Sequence, residues 1–136
     1  MAVDLIERAS LHRDAVAIAA DGETFTYRDL LHWSARVASF VLDGRAELSE
    51  EPVAFLIPPS FAYVAVQWGI WRSGGIAVPL SVFYPGPELD HVLQDTGTAL
   101  VITHPDFVPV SQRAPSLSIG YFYRLCQIGI RRNSTS

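Results

Sequence analysis

Residues 61–71 read Phe-Ala-Tyr-Val-Ala-Val-Gln-Trp-Gly-Ile-Trp, a stretch with Pro58–Pro59 before it and Arg72 after it. Eleven residues are too few to cross a bilayer, which needs about 20 in helical form. A helix at a protein surface carries one apolar stripe, whereas Phe61, Tyr63, Val64, Val66, Trp68, Ile70 and Trp71 spread over nearly every side of the wheel. A helix over 61–73 must therefore be enclosed on several faces. The chain around it supplies material for three short strands and one neighbouring helix. On that count Phe61, Val64, Trp68 and Trp71 should not all be covered, and the fold should be an incomplete piece of a larger one.

The flanking elements are read from local signals. Ala15–Ala20 and Glu23–Thr26 flank Asp21–Gly22, a dipeptide suited to a tight hairpin. Thr26-Tyr-Arg-Asp29 is a variant capping box that predicts a helix start. Beyond it Leu30, Ser34, Val37, Ala38 and Val41 recur at helical spacing, Arg28, His32, Arg36 and Ser39 fall largely elsewhere, and Gly44 marks a left-handed stop. Pro52–Ile57 is continuously apolar, as in a strand buried on both faces. Ser60 then caps the apolar helix, which Gly74–Gly75 end. Ile76–Leu80 and Ala99–Thr103 are two more buried strands. Between them lies a helix from Pro87 to about Thr96, with Glu88 and Asp90 near its positive end. Alternation with short connections predicts the α/β class: a partial parallel β-α-β-α-β layer preceded by a β-hairpin and a helix, an incomplete N-terminal subdomain.

Of the 136 residues, 49% are hydrophobic and 18% charged, which excludes a disordered polymer. One cysteine, Cys126, rules out an internal disulfide framework. Residues 1–106 hold all 14 acidic residues and six arginines, while residues 107–136 hold four arginines and no acid. Such a reversal divides the chain into a domain over 1–106 and a divergent, poorly ordered tail over 107–136. Arg113, Arg124, Arg131 and Arg132 are too sparse for a nucleic-acid or anionic-lipid surface, so no nucleic-acid partner is expected. The start carries Asp4 and Glu7, unlike a signal or transit peptide, and no apolar run is long enough to span a membrane; a cytoplasmic protein is expected.

Residues with chemical potential are few. His12, His32, His91 and His104 show no metal-ligand spacing. Asp90 and His91 are adjacent on a helix and do not face one another. Gly74–Gly75 lie between a helix and a strand, the reverse of the order that aims backbone N–H groups at phosphate. Ser60 lacks the flanking glycines of a nucleophile elbow and reads as a cap. Trp68 and Trp71 read as core rather than a ligand wall, and Cys126 has no identifiable base. The expected catalytic, cofactor-binding and metal sets are each empty. All ten basic residues are arginine, so any step needing a lysine cannot be completed by these residues.

Two runs, Thr26-Tyr27-Arg28-Asp29-Leu30 and Trp68 through Leu80 (WGIWRSGGIAVPL), resemble the opening of the AMP-forming acyl-CoA synthetases, the adenylate-forming superfamily. Pro87–Asp95 and Leu100–Ile102 are similar to the helix and strand that follow there. The form QWGIWRSGGIAVPL is closest in look to the malonyl-CoA synthetase branch, and the resemblance covers about residues 4–106. It implies a ligase that activates a carboxylate with ATP, Mg and coenzyme A in fatty acid metabolism, malonate or a related short dicarboxylate being the acid. It also admits a mitochondrial location. The family's phosphate loop, Mg-associated acidic residue, ribose-binding Asp and catalytic lysine all lie further along the chain than these residues. The expectation is therefore an N-terminal fragment that is inactive alone, binds none of these cofactors and is prone to non-specific self-association. The alternative is a small standalone α/β binding or regulatory module with its ligand near Pro58–Ser60 and Ser81–Tyr84.

Overall fold

The computed structural model describes residues 4–20, 22–81, 83, 86–98 and 100–104. A short helix α1 (Asp4–Ala9) precedes the hairpin β1 (Val16–Ala20) and β2 (Glu23–Thr26). Helix α2 (Tyr27–Leu42) follows, then β3 (Pro52–Leu56), α3 (Phe61–Arg72), β4 (Ile76–Pro79), α4 (Gly86–Thr96) and β5 (Leu100–Thr103). Helix α1 leaves no signature in the sequence, because its six residues are too few to show a period.

The start of α2 is built as the local chemistry requires. Thr26 Oγ1 accepts from the Asp29 N–H at 3.2 Å, and Asp29 Oδ2 accepts from the Thr26 N–H at 3.0 Å. Leu30, Ser34, Val37, Ala38 and Val41 are all buried, with Leu31 and Trp33 beside them. The helix ends one residue before the expected stop: Asp43 is already left-handed at φ 46° and Gly44 follows at φ 87°. Aspartate tolerates this region better than most side chains.

The three-stranded sheet has the order β4-β3-β5, parallel throughout, with Val53 beside Ala77 on one flank and Leu100 on the other. The chain moves from β3 to one side, then crosses back over β3 to reach β5. Right-handed crossovers in opposite directions place α3 and α4 on opposite faces. The alternation along β3 shows this directly. Val53, Phe55 and Ile57 join the main core with α2 and α3, while Ala54 and Leu56 pack with Leu80, Val101, Val92 and Leu93 on the α4 face.

Coverage of α3 is uneven, with two of the four large side chains fully covered and two only in part. Phe61 and Trp68 are 2% and 6% exposed, and Val64 and Trp71 are half-buried against the same core. Two contacts provide the cover. Phe25 of the hairpin stacks on Phe61 with centroids 4.3 Å apart, so the hairpin acts as an extra layer. On α2, Val37 settles against Gly69, where the missing side chain lets the helices approach closely. The expected tail over 107–136 lies outside the described residues.

Candidate functional site

In an open parallel sheet wound in both directions, the crevice forms outside the carboxyl ends of the strands, where successive connections diverge. Here that point lies beside β3. Pro58–Ser60 follow β3, Leu80 and Ser81 follow β4, and His104 follows β5. Backbone bonds hold this rim together: the Leu80 N–H donates to the Phe55 carbonyl and the His104 N–H to the Leu56 carbonyl, at 2.9 and 3.0 Å. Thr103 Oγ1 reinforces it by donating to the His104 carbonyl at 3.2 Å.

Ser60 is committed to structure. Its Oγ donates to the Pro58 carbonyl at 2.9 Å and accepts from the Tyr63 N–H at 3.2 Å, capping α3. The positive end of the α3 dipole thus faces the rim. Of the other residues singled out from sequence, His104 sits on this rim and the rest do not converge on it. His12 lies in the turn after α1, His32 on α2, and His91 on α4, where its Nε2 is 3.1 Å from Asp95 Oδ2 one turn away. The adjacent Asp90 has its side chain outside the described set, and Cys126 and Tyr84 are also outside it. Gly74, left-handed at φ 80°, ends α3, and Trp68 packs in the core.

The donor set at the rim does not fit the nucleotide and metal of an adenylating enzyme. No group of three or more His, Cys, Asp or Glu among the described residues converges on a point where a cation could sit. Among the described residues the rim combines one helix end, a proline pair and a serine used as a cap, without a lysine or a glycine-rich loop.

One grouping was not legible from sequence. Arg13, Arg28 and Arg72 meet around a cavity between α1, α2 and α3. Arg72 is the only charged residue of α3, and that isolation was the available signal.

Residues 5–121 match the AMP-binding enzyme family, a stretch running past residue 106. The chain is 35% identical over 112 residues to a mitochondrial malonate–CoA ligase of Xenopus laevis, covering 79% of this chain and 19% of that protein. The structure resembles an anthranilate CoA ligase solved with anthranoyl-AMP at a TM-score of 0.72 and 25% identity, over 81% of this chain and 21% of that one. It overlays the o-succinylbenzoate CoA synthetase of Bacillus subtilis at a TM-score of 0.76 and 20% identity, over 87% and 25% of the two chains. The chain spans about a fifth of the length of the malonate–CoA ligase it matches. The match over residues 5–121, with the doubly wound layer shared with the solved ligases, makes this chain a member of the AMP-binding enzyme family.

Proposed function

We propose that this chain forms the N-terminal part of an ATP-dependent, AMP-forming acid–thiol ligase that acts on malonate or a related short dicarboxylate, and that its 136 residues have no ligase activity alone. The observation carrying the reading is the likeness over residues 5–121, together with 35% identity to a malonate–CoA ligase. Inactivity follows from charge. Adenylation develops negative charge on transferring phosphates, which fixed donors and a metal must stabilise. The basic residues are arginines throughout, and three of those described, Arg13, Arg28 and Arg72, line a cavity away from the rim. ATP, Mg and coenzyme A are then cofactor and substrates of the longer protein.

The test is a coupled assay with ATP, Mg, coenzyme A and malonate on the 136-residue chain and on a chain continued by the family's downstream region. Turnover is expected only from the second. Turnover by the first would sink the inactivity. Activity of the second with other acids but not malonate would sink the substrate assignment.

A second reading, a standalone binding module, is favoured by one observation: among the described residues every buried side-chain nitrogen and oxygen has a partner, and Phe61 and Trp68 are covered. A compact monomer with cooperative unfolding would support it over the fragment. None of the described helices is long and apolar enough to cross a membrane. We place the chain in the cytoplasm, and imaging of the tagged chain against a mitochondrial marker decides the compartment.

A further inference from the structure

Arg72 is an unusual cation. It is half-buried, and its Nη1 donates to the Leu31 carbonyl at 2.8 Å and to Ser34 Oγ at 2.9 Å, both uncharged acceptors. Among the described residues no carboxylate pairs with it. Burial lowers its pKa from the usual arginine value. A guanidinium stays protonated in a protein, so Arg72 keeps its charge and retains donors at Nη2 and Nε.

Arg72 lines a cavity of about 490 Å³, whose wall includes Arg13, Arg28 and His32 with Ile6 and Leu31 as apolar surface. The Arg28 N–H donates to the Arg13 carbonyl at 2.9 Å, which holds the two arginines side by side. Arg13 makes no side-chain bond among the described residues. Arg28 pairs with Asp14 at 2.9 Å, but the two side chains are 57% and 90% exposed, and such pairs are readily exchanged. Glu7 is the one carboxylate on the wall. Three guanidiniums against Glu7 and Asp14 leave a local positive excess in a chain whose formal charge is −4.

The geometry points to this cleft as a binding site for a small phosphate monoester with an apolar body. A phosphate monoester carries close to two negative charges and three acceptor oxygens, matching three forked donors better than a carboxylate does. The volume lies within the range of small-molecule pockets and exceeds what a bare ion needs. Ile6 and Leu31 would take the apolar part. The site is separate from the ligase reading: α3 starts at the carboxyl rim and ends at Arg72 just before β4, so the cleft lies at the opposite end of the layer.

The experiment is NMR titration of the full chain with phenyl phosphate, with inorganic phosphate, and with phosphatidic acid in phosphatidylcholine vesicles. Saturable shifts of the His32 ring and arginine Nε–H signals are expected with phenyl phosphate, at lower concentration than with inorganic phosphate. Arg13→Gln, an exposed change that leaves packing intact, should weaken binding about tenfold, and Arg72→Gln at least as much. Glu7→Gln should tighten it, while Arg36→Gln, outside the cleft, should change it little. No saturable shift, equal weakening by Arg36→Gln, or an unchanged affinity in Arg13→Gln would each overturn the proposal. Capture by vesicles without binding of phenyl phosphate would overturn the small-molecule assignment in favour of a lipid headgroup.

Discussion

Gly69 of α3 lies directly against Val37 of α2: a methyl group added at Gly69 would overlap Cβ and Cγ1 of Val37 and stand 3.0 Å from the Ser34 carbonyl oxygen. Neither neighbour can move cheaply, since Val37 is fully buried and the carbonyl belongs to a helix backbone. Gly69→Ala should therefore cost at least about 2 kcal/mol despite alanine's better helix propensity. Urea unfolding reads this, and Val37→Ala in the same chain should recover part of the loss. A neutral or stabilising Gly69→Ala would mean that the helices are not this close.

Ser34 is fully buried, donates to the Leu31 carbonyl at 3.2 Å and accepts from Arg72. Ser34→Ala removes one of the two acceptors holding a desolvated guanidinium, so a loss of about 1–3 kcal/mol is expected. Arg72→Met in the Ser34→Ala background should cost less than the two changes summed, because the cation left short of a partner is gone. Strict additivity would show that the two side chains are not coupled.

The capping box offers a more local test. Thr26→Ala should destabilise by about 1 kcal/mol and Thr26→Ser by far less, since serine keeps the accepting hydroxyl. Thermal unfolding followed at 222 nm distinguishes them, and equal effects would indicate that the Thr26 methyl rather than its oxygen matters.

Arg45 and Glu51 form a forked pair at 2.8 and 2.9 Å across the loop after α2. The hydrogen bonds from Arg45 are the main cause holding the Glu51 carboxyl below its usual 4.5. The folded state then binds fewer protons than the unfolded chain as pH falls from about 4.5, so the contribution is present above that pH and lost on acidification. Both side chains are about half exposed, so the effect is small and salt-sensitive. Arg45→Gln should make the acid side of the stability profile shallower, as should 1 M NaCl. An identical acid limb in Arg45→Gln would exclude the pair.

Among the described residues β4 pairs only with β3, and Ile76 at its start is 50% exposed. An open edge with an exposed apolar residue favours association between chains. The chain should self-associate at micromolar concentration, and Ile76→Lys should shift it toward monomer. Sedimentation of the unaltered chain as a monomer under those conditions would refute this.

What the sequence determined by itself was the order and kind of the elements from the hairpin onward. Those signals are local: Thr26 and Asp29 meet within one turn, Ser60 caps the helix that starts beside it, and the spacing from Leu30 to Val41 marks one face. The likeness to the adenylate-forming ligases was legible for the same reason, carried by contiguous runs such as Trp68 through Leu80. Tertiary structure alone decided the strand order β4-β3-β5, because a continuously apolar strand is compatible with either flank. It alone decided how α3 is covered, since Phe25 lies 36 positions before Phe61 and Val37 lies 32 before Gly69. It alone brought Arg13, Arg28 and Arg72 around one cavity. Arginines scattered along a sequence read as solvated surface until the packing of α1, α2 and α3 removes water from one of them and leaves its charge to be matched.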